Sequence, residues 1–347
     1  MNRFVAALIL LLPLTAAANP VGFREMDLPA TQTHRALRVA MWYPTAATTT
    51  AAISGNAVFA GFDASQGAPP SDGKYPLVLL SHGYGSRATN LGWLATELAA
   101  QGYIVVAPDH PGSTTADVGQ SGATKLAGRS GDLSYLIDAV TSDPIWSQRI
   151  EGKIAAIGHS LGGWTVLANA GARFDVARMR SFCGANPQGF TCVGGLSQIN
   201  DAELNSLAHA TRDPRIAAVV ALDPGMTRGF DLASLGAITL PTLVIAAGTA
   251  TPLLAGHKPL PLPDLNESRD LVAAMPPATA RLSTIPSATH FSFMPACKPG
   301  AARYLGGGEA VICADASPGD NAMADRVAIH AQVSAEISRF LAASLPR

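Results

Sequence analysis

The sequence predicts an α/β protein in which a mainly parallel sheet carries helices on both faces. Several continuous apolar runs have the length and composition of strands buried on both sides: Tyr75–Ser81, Tyr103–Pro108, Lys153–Gly158, Ile216–Leu222 and Thr242–Ala247. Helical patterns lie between them, at Leu91–Ala100, Asp132–Val140 and Leu161–Ala170. Strands that alternate with helices in this way pair in parallel, which gives a doubly wound sheet.

The remaining segments complete or interrupt this alternation. Ala36–Tyr43 is the first strand candidate, Arg281–Ile285 the last, and Ala324–Ala343 is predicted as a closing amphipathic helix. Thr48–Gly73 is rich in small residues and reads as a long surface connection. Residues 172–215 form an insertion that we expect to be lid-like, because loops of this length often wall a binding site.

The charge of the chain argues against a nucleic-acid or membrane-surface partner. Lys and Arg total 24 against 25 Asp and Glu, and the formal net charge is −1. No basic field or polybasic run is therefore present to attract phosphates. Hydrophobic residues make up 48%, enough to bury a large core.

The N-terminus has the pattern of a secretory signal. Asn2 and Arg3 precede an apolar run from Phe4 to Leu14, and small residues follow at Ala16–Ala18. This order predicts a cleaved signal peptide at residues 1–18, the alternative being an uncleaved anchor. Residues 19–347 are then one exported domain, periplasmic or extracellular, without stable insertion into the membrane. The oligomeric state is left open.

The four cysteines favour disulfide bonds, because export leads to an oxidising compartment. Four cysteines allow three pairings. The local pairing, Cys183 with Cys192 and Cys297 with Cys313, requires the least rearrangement of the chain. A metal site is the alternative, but the sequence has neither a C-x-x-C pair nor a histidine at ligand spacing. We expect no metal and no cofactor.

The strongest motif is Gly158-His159-Ser160-Leu161-Gly162. It is a G-x-S-x-G run directly after a predicted strand and directly before a predicted helix, the context of a nucleophilic serine. Side chains in place of the two glycines would collide with the neighbouring strand and helix. The sequence therefore predicts Ser160 as a nucleophile, the alternative being a surface serine in an ordinary turn.

A serine hydroxyl needs a general base at neutral pH. His290 follows the last strand candidate, which places it at the C-terminal edge of the sheet, where ligands gather in such folds. The other histidines after the nucleophile are His209 in the insertion, His257 in a Pro-rich loop and His330 inside the closing helix. His290 is therefore the predicted base.

The base needs an acid that fixes its tautomer. Asp223 directly follows the apolar strand Ile216–Leu222, where a buried carboxylate requires a partner. Asp264 and Asp270 stand in polar surroundings further on, and a structural capping role for Asp223 is the alternative. The order Ser160, Asp223, His290 is the order this type of site uses.

Two backbone N–H groups are predicted to hold an oxyanion. One belongs to Leu161 at the start of the helix, and the other to Tyr84 in the Ser81-His82-Gly83-Tyr84-Gly85 loop. His82 is expected to brace this loop. Asp109 and His110, in Pro108-Asp109-His110-Pro111-Gly112, are expected at the rim of the site.

These motifs together resemble a known group. LSHGYGS, APDHPGST, GHSLGG, ALDPG and ATHFSF look like dienelactone hydrolase-like serine hydrolases of the α/β-hydrolase superfamily. They are most similar to the branch of platelet-activating-factor acetylhydrolase. The resemblance implies an α/β-hydrolase fold, and in that branch the acid follows the strand after the nucleophile helix, which matches Asp223. Ser160 stands where true dienelactone hydrolases have a cysteine.

The sequence thus predicts a serine hydrolase that cleaves short- to medium-chain carboxylic esters through an acyl-enzyme. Its partner would be a small-molecule ester. Amide, thioester or polyester cleavage on the same three residues is one alternative, and a non-catalytic binding module is another.

Overall fold

The computed structural model describes residues 18–118, 126–192, 199–250, 254–255, 258–259, 263–305, 310–313 and 322–345. Residues 1–17 of the predicted signal peptide lie outside this range, so that prediction stays untested. His257 also lies outside it. Among the described residues, no helix is both long and apolar enough to cross a membrane.

The first half of the chain builds one side of the sheet. Its strands are β1 (Val21–Leu28), β2 (Leu37–Pro44), β3 (Ala51–Ile53), β4 (Phe62–Gln66), β5 (Tyr75–Ser81), β6 (Ile104–Asp109) and β7 (Ile150–His159). Its helices are α1 (Gly92–Ala100), α2 (Gly128–Ser142) and α3 (Leu161–Ala170).

The second half adds the other side and the insertion. Its strands are β8 (Ile216–Leu222), β9 (Thr242–Ala247), β10 (Leu254–Ala255), β11 (Lys258–Pro259) and β12 (Ala280–Ile285). Its helices are α4 (Val176–Ala185), α5 (Asp201–Ser206), α6 (Leu232–Gly236), α7 (Glu267–Ala273) and α8 (Ala322–Ser344).

The described strands form a ten-stranded sheet in the order β12-β9-β8-β7-β5-β6-β2-β1-β4-β3, with β10 and β11 paired separately. The run from β12 to β6 is parallel throughout, and β2 pairs antiparallel with β6 and β1. Helices α2 and α3 pack on one face and α1 and α8 on the other. The predicted fold class, a mainly parallel doubly wound sheet, is confirmed.

The prediction for Thr48–Gly73 was wrong in part. This segment contains β3 and β4, and β4 pairs with β1, a strand that was not predicted. β3 is the outermost strand on this side of the sheet, and β4 and then β1 lie next to it. β3 and β4 have only three and five residues, and all three strands include exposed positions. Such strands lack the continuous apolar run that identifies central ones.

Residues 172–215 contain α4, α5 and a 3₁₀ helix at Leu207–His209. Asp175 caps α4 by accepting the Arg178 N–H at 3.0 Å, and Asn200 caps α5 by accepting the Glu203 N–H at 2.9 Å. Polar caps of this kind satisfy the free N–H groups of short helices.

Candidate active site

Ser160 lies on a sharp turn between β7 and α3. Its backbone has φ 56° and ψ −120°, a conformation that residues other than glycine rarely adopt. The Ser160 N–H donates to the Leu222 carbonyl at 2.9 Å, which fastens the turn to β8. The turn lies at the C-terminal edge of the sheet, as the sequence predicted.

The two glycines of the motif are required by close packing. A Cβ at Gly158 would lie 2.0 Å from the Gly162 carbonyl oxygen, and a Cβ at Gly162 would lie 1.9 Å from the Ser81 carbonyl oxygen. No side chain fits at such distances from backbone atoms. The steric reason given for these glycines therefore holds in the structure.

The structure brings Ser160, His290 and Asp223 into one hydrogen-bonded chain. His290 Nε2 lies 3.0 Å from Ser160 Oγ, and His290 Nδ1 lies 2.6 Å from Asp223 Oδ2. The side chains of His290 and Asp223 are each 20% exposed, so both are reachable from the adjacent cavity. A hydroxyl, an imidazole and a carboxylate at these distances can pass the hydroxyl proton to the ring nitrogen.

Asp223 is held by the strand next to its own. Its backbone N–H donates to the Ile245 carbonyl at 2.7 Å, and its Oδ1 accepts the Ala247 N–H at 3.0 Å. One carboxylate oxygen therefore faces the backbone of β9 and the other faces His290. This arrangement answers the requirement that a carboxylate at the end of a buried strand has partners.

The rival acids and bases are occupied elsewhere. Asp264 and Asp270 both pair with Arg228. His330 is buried in α8, where its Nε2 lies 2.9 Å from the Ser292 carbonyl. His209 ends the 3₁₀ helix of the insertion.

The short helix His290–Phe293 that carries the base is fixed from below by α1 and α8. Trp93 Nε1 donates to the Phe293 carbonyl at 3.0 Å, and the His330 ring stacks on Trp93 with centroids 3.7 Å apart. Within the turn, the Thr289 N–H donates to Ser292 Oγ at 2.9 Å. These contacts fix the position of the short helix and therefore of His290, its first residue.

His159, next to the nucleophile, braces the base from the other side. Its Nε2 lies 2.9 Å from the His290 carbonyl oxygen, and the two rings are 4.8 Å apart. Burial, and then the nearby His290, lower the pKa of His159 to about 3. The ring is therefore neutral at physiological pH and donates its Nε2 proton to that carbonyl.

The two residues predicted to supply oxyanion donors line the same cavity as Ser160. Leu161 is the first residue of α3, where a backbone N–H has no partner inside the helix. Tyr84 follows β5, and its loop touches the nucleophile, since a Cβ at Gly83 would lie 3.2 Å from Ser160 Cβ.

One expectation about this edge of the sheet was wrong. His110 was expected at the rim of the site, but its side chain is fully buried. It belongs to a polar cluster beneath the loop of Tyr84, together with Arg129 and Asp132, which the sequence analysis did not single out.

A cavity of about 290 Å³ lies beside these groups. Its lining includes Ser160, Asp223, His290, Tyr84 and Leu161. Phe190 and Ile199 from the insertion line it as well. The insertion therefore contributes to the wall of the cavity.

Glu267 is a lining residue that the sequence analysis missed. Its Oε1 accepts the N–H and the hydroxyl of Thr227 at 2.6 and 3.0 Å. Burial raises the pKa of the Glu267 carboxyl, although the hydrogen bonds of Thr227 oppose this shift. Nothing in the local sequence indicates that this glutamate lies at the cavity, because its position depends on the distant Thr227.

The structure contains the two disulfides of the predicted local pairing, Cys183–Cys192 and Cys297–Cys313. The first closes a loop that carries Phe190 of the cavity wall. The second joins the segment after His290 to the 3₁₀ helix Ala310–Cys313. Among the described residues, no group of three or more His, Cys, Asp or Glu side chains is arranged to hold a metal ion.

The chain has the α/β-hydrolase fold. A family model described as serine aminopeptidase, S33, matches residues 74–185, the part that contains β5, the loop of Tyr84 and the serine turn. The structure is also similar to that of a ferulic acid esterase from Streptomyces cinnamoneus, with a TM-score of 0.60. That likeness covers 96% of this chain and 92% of the esterase at 20% sequence identity, and at this identity it bears on the fold alone.

Curated relatives match shorter stretches. Cutinase 2 of Thermobifida cellulosilytica is 31% identical over 108 residues, which are 31% of this chain and 39% of that protein. A bis(hydroxyethyl) terephthalate hydrolase of Streptomyces coelicolor is 29% identical over 175 residues, 49% of this chain and 52% of that protein. The chain thus spans about half or less of the length of these relatives.

Proposed function

We propose that this protein is a serine hydrolase that cleaves carboxylic esters through an acyl-enzyme. The observation that carries the proposal is the continuous chain of hydrogen bonds from Asp223 through His290 to Ser160. Ser160 stands on a strained turn beside a cavity, which is where an acyl group could be accepted. The names of the relatives, cutinase and bis(hydroxyethyl) terephthalate hydrolase, support an ester as the substrate.

In the proposed mechanism, Ser160 gives its proton to His290 Nε2 and attacks the ester carbonyl. The N–H groups of Leu161 and Tyr84 hold the negative oxygen that forms. His290 then protonates the departing alcohol and afterwards activates a water molecule, which releases the acyl group. Asp223 keeps the Nδ1 proton of His290 in place throughout.

The proposed substrates are esters of short- to medium-chain acids. Polyester or terephthalate-ester cleavage is the second candidate, and the similarity to the cutinases and the terephthalate hydrolase favours it. We also propose that the chain belongs to the dienelactone hydrolase-like branch, because it contains the motifs LSHGYGS, APDHPGST, GHSLGG, ALDPG and ATHFSF.

A matched substrate panel tests the reaction class. It comprises p-nitrophenyl esters of increasing acyl length, the p-nitroanilide and a thioester of one of these acyl groups, and a polyester film. We expect turnover to be highest on the shorter esters and far lower on the anilide. Faster cleavage of the anilide or thioester than of the matching oxoester would contradict the proposal. No turnover and no labelling by a fluorophosphonate would indicate a binding module.

Export to the periplasm or the medium is also proposed, because two disulfides favour an oxidising compartment. N-terminal sequencing of the exported protein should begin at Asn19. A mature protein that retains residues 1–18 would contradict cleavage.

Removal of the two disulfides is expected to have different effects. Cys297→Ala/Cys313→Ala should lower kcat up to about a hundredfold, because it frees the segment after His290 and small displacements of a base are costly. It should also lower stability by roughly 3 kcal/mol. Cys183→Ala/Cys192→Ala should mainly change KM or chain-length preference, because this bridge lies in the cavity wall. Steady-state kinetics and thermal unfolding check both. Equal losses of kcat in the two variants would contradict this division of roles.

A further inference from the structure

We propose that Arg129 and His82 are positioning residues for the oxyanion hole. They hold the two successive carbonyl groups of the His82-Gly83-Tyr84 loop, and so aim the Tyr84 N–H at the space beside Ser160. The inference rests on the proposed function, since it concerns how the same site stabilises its oxyanion.

Arg129 is a fully buried guanidinium beneath this loop. Its Nε donates to Thr165 Oγ1 at 3.0 Å and its Nη1 to Ser113 Oγ at 2.6 Å. Its Nη2 donates to the His82 carbonyl and, at 3.4 Å, to Ser81 Oγ. The acceptors that the described residues supply are thus all uncharged oxygens.

Such a cation is costly to bury without a carboxylate bonded to it. Burial lowers the pKa of Arg129 to about 9, against the effect of the nearby Asp132. The group is therefore still charged at neutral pH. An arginine kept in this state among backbone and hydroxyl oxygens fits a role in fixing those oxygens.

The first peptide of the loop is fixed by Arg129. Because the His82 carbonyl points down to the guanidinium, the N–H of the same trans peptide, on Gly83, points the other way. Gly83 itself lies directly against the nucleophile, since a Cβ there would be 3.2 Å from Ser160 Cβ and 3.5 Å from His159 Nδ1.

The second peptide is held by His82 and, at a longer distance of 3.3 Å, by the Ser86 N–H, which donates to the same Gly83 carbonyl. The His110 N–H donates to His82 Nε2 at 3.0 Å, so Nε2 is the acceptor and Nδ1 carries the proton. Nδ1 then donates to the Gly83 carbonyl at 2.7 Å. The N–H of this peptide belongs to Tyr84 and therefore points away from the buried imidazole, on the side where Tyr84 and Ser160 line one cavity.

Electrostatics keep His82 in this form. Burial, followed by the charge of Arg129, places the pKa of His82 well below its usual value. The ring is therefore neutral across physiological pH. A single proton on a neutral imidazole can serve only one nitrogen, and the His110 N–H assigns it to Nδ1.

The hydroxyl of Ser81 links Arg129 to a second layer. Burial, and then Arg129, lower the pKa of His110 to about 3, so its ring is neutral. Its Nδ1 lies 2.7 Å from Asp132 Oδ2 and its Nε2 2.9 Å from Ser81 Oγ. Ser81 can therefore donate to His110 while it accepts from Arg129. Asp132 in turn accepts two hydrogen bonds from Arg35, at 2.6 and 2.8 Å. The Ser81 hydroxyl, both ring nitrogens of His110 and the Asp132 carboxylate thus all have hydrogen-bond partners.

A pair of His82 variants tests the proposal. In His82→Asn the amide nitrogen takes the place of Nδ1 and can still donate to the Gly83 carbonyl. In His82→Leu that donor is lost while a similar volume is kept. We expect kcat to fall about 10²–10³-fold in His82→Leu, the loss typical of one missing oxyanion donor, with a smaller change in KM. His82→Asn should stay within about tenfold of wild type.

The readout specific to an oxyanion hole is the preference for an oxoester over the matching thionoester. Sulfur is larger and a weaker acceptor, so a well-aimed N–H discriminates against it. The ratio of the two kcat/KM values should fall in His82→Leu and persist in His82→Asn. A variant that is merely less stable contains less folded enzyme, but its folded molecules would show the wild-type ratio of the two kcat/KM values.

Arg129→Met gives an independent arm, with Arg149→Met as its matched control. Arg149 also donates to backbone carbonyls, those of Ser71 and Ile145, but at the opposite edge of the sheet. We expect a lower oxoester preference in Arg129→Met and an unchanged one in Arg149→Met. Should Arg129→Met fail to fold, the His82 pair decides.

The outcomes separate this inference from the proposed function. If the wild-type protein cleaves esters and folded His82→Leu keeps both kcat and the oxoester preference, the positioning role is overturned and the proposed function stands. If the wild-type protein neither cleaves esters nor reacts with a fluorophosphonate, both are overturned.

Discussion

Ser160→Ala is expected to abolish ester turnover and to leave the fold intact. The loss should be about 10⁴–10⁶ in kcat, the range seen when a member of such a triad is removed. His290 Nε2 would keep its place but have no hydroxyl to activate. Alanine has the same Cβ as serine, so the strained backbone at φ 56° gains no new clash. Kinetics and a thermal melt of the pure variant check both halves of the expectation.

Ser134→Ala is the matched control, because Ser134 lies on α2 and its hydroxyl bonds to the Ser130 carbonyl, at 3.4 Å, and to the Asp213 carboxylate, not to any residue of the proposed triad. This variant should retain full activity. A fluorophosphonate should label the peptide that contains Ser160 in the control and nothing in Ser160→Ala. Retention of more than a few per cent of activity by Ser160→Ala would remove Ser160 from the role of nucleophile.

The central part of the fold could be predicted because it depends on local signals. β5, β8 and β9 are continuous apolar runs, and such runs identify strands covered on both faces. The turn at Ser160 could be predicted because the G-x-S-x-G motif between a strand and a helix is a local signal. Of its two glycines, Gly158 is demanded by the nearby Gly162 backbone and Gly162 by the backbone of Ser81 on the neighbouring strand. Once these strands are parallel, Asp223 and the segment of His290 must meet Ser160 at one edge.

The buried polar cluster could not be predicted for the opposite reason. Arg129 stands in a Gly-Arg-Ser sequence that looks like the exposed start of a helix. Its partners Ser81 and His82 are 48 and 47 residues away along the chain. Whether a guanidinium faces water or the core is decided by tertiary contacts of this kind, which no periodicity in one sequence reveals. Strands near the outer side of the sheet, such as β1 and β4, escape prediction similarly, since their pairing partners define them.

Asp223→Asn is expected to lower kcat about 10⁴-fold, because the amide would select the wrong tautomer of His290. The structure explains why the asparagine amide could not simply flip so that its oxygen faces His290. Oδ1 accepts the Ala247 N–H at 3.0 Å, so the oxygen of an asparagine must stay on that side. Its NH₂ group would then face His290 Nδ1, now at 2.6 Å from Asp223 Oδ2, and force Nδ1 to act as an acceptor.

The proton would then reside on Nε2, and this nitrogen could no longer accept the proton of Ser160. Asp270→Asn is the control, since Asp270 is an exposed partner of Arg228 and should leave kcat unchanged. Circular dichroism should show both variants folded, and fluorophosphonate labelling of Asp223→Asn should be slowed along with turnover. If Asp223→Asn remained within a few fold of wild type while Asp264→Asn lost activity, the acid of the triad would be Asp264, and the hydrogen bond of Asp223 to His290 would be structural.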